Sequence, residues 1–391
     1  MCQAFYAEAV RPLLERAFPR LSYAAARLGQ GSEVLGFDSE RSVDHDWGPR
    51  LELLLAAEDV TRVGEEISAM LSARLPKRFH GWPTHFEPPG ARVRVMAPTD
   101  GPVAHRVTVT DLGSWCGQQL GFDPRGGVTL LDWLATPGQR LAEVTGGAVF
   151  HDGAGELSLV RERLSWYPDD VWRYVLACQW MRIAEEEAFV GRTAEAGDEL
   201  GSRVTAARLA RELMRLCLLL GRRFPPYGKW LGKAFAALEE SAAIATALDD
   251  ALQAGTERGA QAGTERRQAA LCTAYELAGD WQNRLGLAEP VDATRRPFFD
   301  RPYPVIDAGR FAAALLARIE DPAIAALPPV GAIDQFSDST AVLCSPRLAR
   351  ALTLSTITEV PSLSSARVAT QGRLRHAGSQ NPNLARATER P

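Results

Sequence analysis

Gly31-Ser32-Glu33-Val34-Leu35-Gly36-Phe37-Asp38-Ser39-Glu40-Arg41-Ser42-Val43-Asp44-His45-Asp46 is the stretch on which the reading of this chain turns. A Gly-Ser pair closes an apolar run, and its small residues let backbone amides and a hydroxyl approach a phosphate where a helix begins. Gly36 lets the chain turn again. Twelve residues after Ser32 comes Asp44-x-Asp46. Residues two apart on an extended chain share a face, so both carboxylates can serve one site. Such a pair suits hard divalent cations such as Mg²⁺, which prefer oxygen ligands. His45 then points to the opposite face and reads as structural.

Working outward, LSYAAARL (21–28) reads as a short apolar strand and RLELLLAA (50–57) as a second, buried one. A first helix covers about residues 4–17 and stops near Pro19. Val60, Val63, Ile67, Met70 and Leu71 have helical spacing over 59–75. Strands are expected at 92–97 (RVRVMA) and 105–111 (HRVTVTD), and from Trp115 onward the sequence is mostly helical. Long helices are predicted over 169–192, 198–223, 229–252 and 266–285, with shorter ones near 308–319 and 345–354. QAGTER at 253–258 recurs at 261–266, a local duplication that reads as a loop or helix extension. Residues 359–391 are Ser-, Thr-, Asn- and Arg-rich without periodicity and read as a disordered tail. The expected class is α+β. A mixed sheet with flanking helices occupies 1–150, a helical bundle domain follows over 151–358, and the boundary falls between 125 and 165.

The 391 residues carry a net charge of −4, which argues against a protein that coats nucleic acid, although a local basic surface is compatible with it. No run of about 18 apolar residues offers a membrane span. Glu8 and Glu15 interrupt the apolar N-terminus, which reads as an amphipathic helix and not as a signal peptide. Six scattered cysteines without a CxxC pair read as reduced thiols of a cytoplasmic protein.

In the helical half, Trp180, Ile183, Ala184 and Glu187 share one stripe, where an unpaired carboxylate is costly. Arg192 follows. Arg208, Arg211 and Arg215 recur at spacings of three and four, and Tyr227, Lys229, Trp230 and Lys233 cluster after two prolines. One account is a set of surface ion pairs. The other is a polar pocket facing the metal site, with Arg and Lys on triphosphate oxygens and Tyr or Trp stacked on a base.

The Gly-Ser pair, spacer, DxD and hydrophobic strand resemble the signature of the nucleotidyltransferase superfamily, which includes the DNA polymerase β palm and the aminoglycoside nucleotidyltransferases. GSEVLGFDSERSVDHDWGPR, YPDDVWRYVLACQWMRIAEEEAFVGR, GDELGSRVTAARLARELMRL, PPYGKWLGKAF and GAIDQFSDS are together similar to a bacterial family of uncharacterised proteins, a domain of unknown function within that superfamily. That likeness covers roughly 20–355. The resemblance implies a nucleotidyltransferase-like sheet domain and Mg²⁺-dependent transfer of a nucleoside monophosphate from a nucleoside triphosphate, with ATP the expected donor. Two ions would bridge the phosphates.

It also implies a third carboxylate on a later strand. Alternation in HRVTVTD puts Val107, Val109 and Asp111 on one face, which makes Asp111 the candidate ligand beside Asp44 and Asp46; an N-cap is the competing role. By analogy with members that modify small molecules, Glu187, or next Glu186, is the expected general base, against an ion pair to Arg192 or the helix arginines. Gly31, Ser32, Arg192, Tyr227, Lys229 and Lys233 are the expected nucleotide contacts. The expected acceptor is a hydroxyl of an antibiotic-like small molecule. A protein side chain, a tRNA end, or a non-catalytic nucleotide-binding role are the alternatives.

Overall fold

The computed structural model describes residues 1–43, 46–87, 94–255 and 260–358. Asp44, His45, part of the strand expected at 92–97 and the tail expected at 359–391 lie outside the described residues. Cys2–Phe5, Tyr6–Val10 and Arg11–Ala17 run on as one helix, α1. Strand β1 (Tyr23–Arg27) then pairs antiparallel with β2 (Arg50–Leu55), Tyr23 opposite Leu55. Helix α2 (Ala57–Arg74) leads on toward β3 (Arg106–Asp111), which lies parallel to β2 with Arg50 opposite Arg106 and Leu55 opposite Asp111. A parallel neighbour requires such a crossover.

Period-2 burial separates the two faces of this sheet. Leu51, Leu53, Leu55 and Val107 share a core with Val63, Ile67 and Leu71 of α2 and with Phe5, Val10 and Leu14 of α1. Each fully buried aliphatic side chain there contributes roughly 1.5–3 kcal/mol. On the other face, Ala24, Ala26 and Leu54 enter a larger core continuous with Leu112, Trp115, Leu141 and the helical half. Helices α3 (Leu112–Leu120) and α4 (Gly138–Thr145) carry the chain across that face. Strand β4 (Ala148–Asp152) then takes the open edge of β1, giving the order β3-β2-β1-β4. This fourth strand was not expected, and it runs across the boundary set at 150.

The helical part begins with α5 (Asp169–Glu186) and α6 (Phe189–Glu195). The single helix expected over 169–192 is therefore two, broken where the Glu187 carboxylate receives backbone N–H groups from another segment. Asp198 caps α7 (Glu199–Leu220), its carboxylate accepting from the Gly201 N–H at 2.7 Å. The expected 229–252 helix is also two, α8 (Gly228–Ala236) and α9 (Ser241–Gln253). Helix α10 (Ala260–Leu285) starts earlier than predicted and takes the second QAGTER copy into its first turns. A hairpin of Arg296–Phe298 and Arg301–Val305 precedes the last long helix, α11 (Pro346–Thr358). Of the strand expected at 92–97, residues 94–97 are described and only Met96–Ala97 is strand, paired with His85–Phe86 outside the main sheet. Among the described residues no helix is long and apolar enough to cross a membrane.

The architecture is thus α+β, a mixed sheet with flanking helices followed by a helical region.

Candidate functional site

The first wall of the site is the turn after β1. Gly29 (φ 73°) and Gly31 (φ 154°) take backbone conformations that a side chain resists. A Cβ at Gly31 would come within 2.6 Å of the guanidinium nitrogens of both Arg27 and Arg50 and 2.5 Å from the Glu33 carboxylate. Glycine is required there because two arginines close over the turn. Arg27 Nε donates to Glu33 at 2.9 Å and its Nη1 to Glu52 at 3.2 Å. Arg50 Nη2 donates to Glu33 at 2.6 Å and to the Gln30 carbonyl at 3.2 Å. Glu52 also accepts the Leu28 N–H at 2.9 Å.

This set of two buried arginines and two half-buried glutamates balances in formal charge. Burial pushes Glu33 up, but the Arg27 and Arg50 guanidiniums outweigh it and hold the carboxyl below its ordinary range. For Glu52 burial wins over Arg27 and the carboxyl is raised.

The second element is Asp46, in a left-handed conformation (φ 47°), with its carboxylate on the Arg106 guanidinium. Asp46 lies beside the start of β3, and Arg106 and Thr108 present the cavity face of that strand. Across from them α4 contributes Arg140 and Glu143, and the helical part contributes Arg211, Arg215, Tyr227 and Lys229. The walls enclose one cavity of about 990 Å³. Trp115 lies under Gly29, with its ring 3.6 Å from where a Cβ would sit. At the rim, Phe37 and Trp230 pack at 5.5 Å, and Lys233 Nζ donates to the Phe37 carbonyl at 3.1 Å. That contact ties the Gly31–Val43 loop to α8. A third stretch, Asp334 to Cys344, completes the lining.

The structure therefore brings together Gly31, Ser32, Asp46, Tyr227 and Lys229, all on the cavity. Lys233 clamps the rim. Three expected residues stand elsewhere. Asp111 is at the far end of β3, roughly 16 Å along the strand from Arg106, on the face that Val107 and Val109 turn toward α2. Its carboxylate accepts the Ser114 N–H at 2.8 Å, so it has the competing role, the N-cap of α3.

Glu187 is buried away from the cavity, accepting the N–H groups of Ile306 (2.9 Å), Asp307 (3.2 Å) and Ala308 (3.0 Å). Burial pushes it up to about 7, the nearby Asp307 charge adds to that, and the three donors oppose it. Glu187 pins the segment after the hairpin to the end of α5. Glu186 is paired at the surface with Arg208 at 2.9 Å. Arg192 lies over the Phe189 ring at 5.3 Å and does not line the cavity.

Arg27, Arg50, Glu52 and Arg106 were not anticipated. Their signal was available, because Arg50 and Glu52 alternate on one face of an otherwise leucine strand. Among the described residues no three His, Cys, Asp or Glu side chains are grouped to hold a metal ion. Asp46 fits Mg²⁺ by donor type but is held by Arg106, and Asp44 lies outside the described residues.

Residues 133–231 match a family model described as a domain of unknown function (DUF4037). That segment contributes the helical wall of the cavity, from Gln139 to Trp230. Among solved structures, the chain is similar to the crystal structure of a nucleotidyltransferase-like protein from Exiguobacterium sibiricum 255-15. Identity is 12%, the likeness spans 80% of this chain and 89% of that one, and the TM-score is 0.30. No curated protein matches this chain.

Proposed function

We propose that this chain is a nucleotidyltransferase that moves a nucleoside monophosphate, AMP from ATP in the first instance, to a hydroxyl of a small acceptor bound in the cavity. The observation that carries the reading is the cavity itself. It joins the Gly31-Ser32 turn and Asp46 on one side to Tyr227, Lys229 and the helical arginines on the other. Its volume, about 990 Å³, is near the upper end of the range for small-molecule sites, roughly 300–1,000 Å³.

In the transfer, the acceptor oxygen bonds to the α-phosphorus. The bond from that phosphorus to the bridging oxygen breaks, and pyrophosphate leaves. Mg²⁺ held by Asp44 and Asp46 would neutralise charge on the phosphates. The Gly31-Ser32 turn lets backbone N–H groups and the Ser32 hydroxyl approach phosphate oxygens. Arg106 lines the cavity beside Asp46, and its guanidinium would pair with the leaving oxygens. Tyr227 offers a ring for the base. The acceptor proton passes to Asp338, a cavity carboxylate with no hydrogen bond or ion pair among the described residues.

The test is incubation of the protein with labelled ATP, GTP, CTP and UTP, Mg²⁺ and a cell extract. Wild type should label a product, and Asp44→Ala/Asp46→Ala should reduce labelling to background. Labelling that survives the double substitution would remove Asp44 and Asp46 from the reaction.

The Asp46–Arg106 pair also favours a second reading, a nucleotide-binding module without transfer, because the guanidinium neutralises the carboxylate that a metal would need. ATP binding without pyrophosphate release in any acceptor pool selects that reading.

A further inference from the structure

Arg215 is 5% exposed and lines the cavity, yet no carboxylate of the described residues lies within ion-pair distance of it. Its Nη1 donates to the Asp334 backbone carbonyl, and its Nε is buried without a partner. The Asp334 carboxylate is turned away, accepting the Gly138 N–H at 3.1 Å. A buried guanidinium balanced only by a carbonyl is costly unless something else supplies the charge. The other buried arginines of the cavity are balanced. Arg27 and Arg50 face Glu33 and Glu52, and Arg140 donates to Glu143 at 2.9 Å.

One turn before Arg215 on α7, Arg211 also lines the cavity. It reaches only Glu212, at 3.4 Å, a carboxylate already taken by Gln179 at 2.8 Å and Arg182 at 3.2 Å. The two arginines are four residues apart and so share a helix face. The helical wall of the cavity therefore carries positive charge that the neighbouring carboxylates do not balance.

We infer that Arg211 and Arg215 form an oxyanion subsite that holds a phosphate or carboxylate group of the acceptor, separate from the nucleotide's triphosphate. The assignment to the acceptor rests on the proposed nucleotidyl transfer; the subsite itself does not. It runs against a polycationic, antibiotic-like acceptor whose amines would have to approach Arg211 and Arg215. Guanidinium binds planar or tetrahedral oxyanions through parallel N–H donors, and both groups present such oxygens.

The test uses the full chain and two probes, inorganic phosphate and malonate, titrated by calorimetry with and without saturating Mg²⁺ and a non-hydrolysable ATP analogue. At least one probe should bind wild type, and it should still bind when the analogue is present; the tighter probe names the group. Arg215→Gln should weaken that probe by at least about tenfold, the scale of one charged hydrogen bond, and leave the analogue's affinity within about twofold. Arg211→Gln tests the same subsite at a side chain 37% exposed, where folding is not at stake, and should weaken the probe several-fold.

Failure of both probes to bind wild type overturns the subsite, as does unchanged affinity in the Arg211 variant. Competition between probe and analogue overturns the acceptor assignment and gives Arg215 to the triphosphate. If the analogue itself does not bind, the nucleotidyl reading fails, while the titration without nucleotide still decides the subsite.

Discussion

Glu187 shows how a single carboxylate can look catalytic in sequence and be structural in space. Its stripe position among Trp180 and Ile183 is real, since all three are buried. What the pattern could not contain is the partner, three consecutive backbone N–H groups at Ile306, Asp307 and Ala308. The partner carries no charge, so burial pushes the carboxyl up to about 7 from an ordinary value of 4.5. The folded state thus binds this proton more tightly than the unfolded chain. Stability from this group is complete below pH 4.5 and is lost as pH rises through about 7, a fall of about 3 kcal/mol. Glu187→Gln cannot ionise, so its urea midpoint should be flatter than wild type between pH 5 and 8. Equal slopes for the two proteins would show that Glu187 does not titrate in that window. Glu187→Ala leaves three buried donors without an acceptor and should cost about 3 kcal/mol or more at any pH.

At the scale of elements, Asp111 divides the roles of ligand and cap. Its position at the end of β3 lets the carboxylate accept the Ser114 N–H at the start of α3. Asp111→Ala should therefore lower stability by about 1 kcal/mol and leave affinity for the ATP analogue unchanged. Asp111→Asn, which also caps, should restore most of the stability. A loss of Mg²⁺-dependent binding in Asp111→Ala without loss of stability would return it to the metal site.

The same strand shows what was legible. Alternation correctly groups Val107, Val109 and Asp111, but which face meets the cavity is set by packing against α2, a contact more than thirty residues away in sequence. The buried strand β2 and helix α2 were readable because their apolar periods are long and regular. Strand β4 was not, being a five-residue edge strand with no fully buried residue to mark its inner face. Helices broken at Glu187 and between Ala237 and Glu240 keep their period through the break, so periodicity alone runs them together. The turn at Gly31-Ser32 was found by its motif, whereas the arginines that close over it come from strand ends and needed the fold to meet.

At the scale of the molecule, the cavity is complete only when the last part of the chain returns to it. Asp334 meets Gly138 across 196 positions, and Arg350 of α11 pairs with buried Asp132. These contacts place Asp338, Thr340, Leu343 and Cys344 on the cavity wall. Cys344 is the one exposed cysteine of the six, four others being buried and Cys2 half-buried. Burial pushes the Cys116, Cys178 and Cys272 thiols up to about 12 and raises those of Cys217 and Cys2 as well. The reactive species is the thiolate, so those five are poor nucleophiles at neutral pH.

The folded protein should then show one fast-reacting thiol with a disulfide reagent such as dithiobis-nitrobenzoate, and Cys344→Ser should abolish that phase. Saturating ATP analogue with Mg²⁺, which the proposed function seats in the cavity that Cys344 also lines, should slow the reaction several-fold, whereas the denatured chain should react at six sites. A fast phase that persists in Cys344→Ser would place another thiol at the surface. A Cys344 rate indifferent to bound analogue would separate the Asp334–Cys344 wall from the nucleotide and confine the ligand to the sheet side.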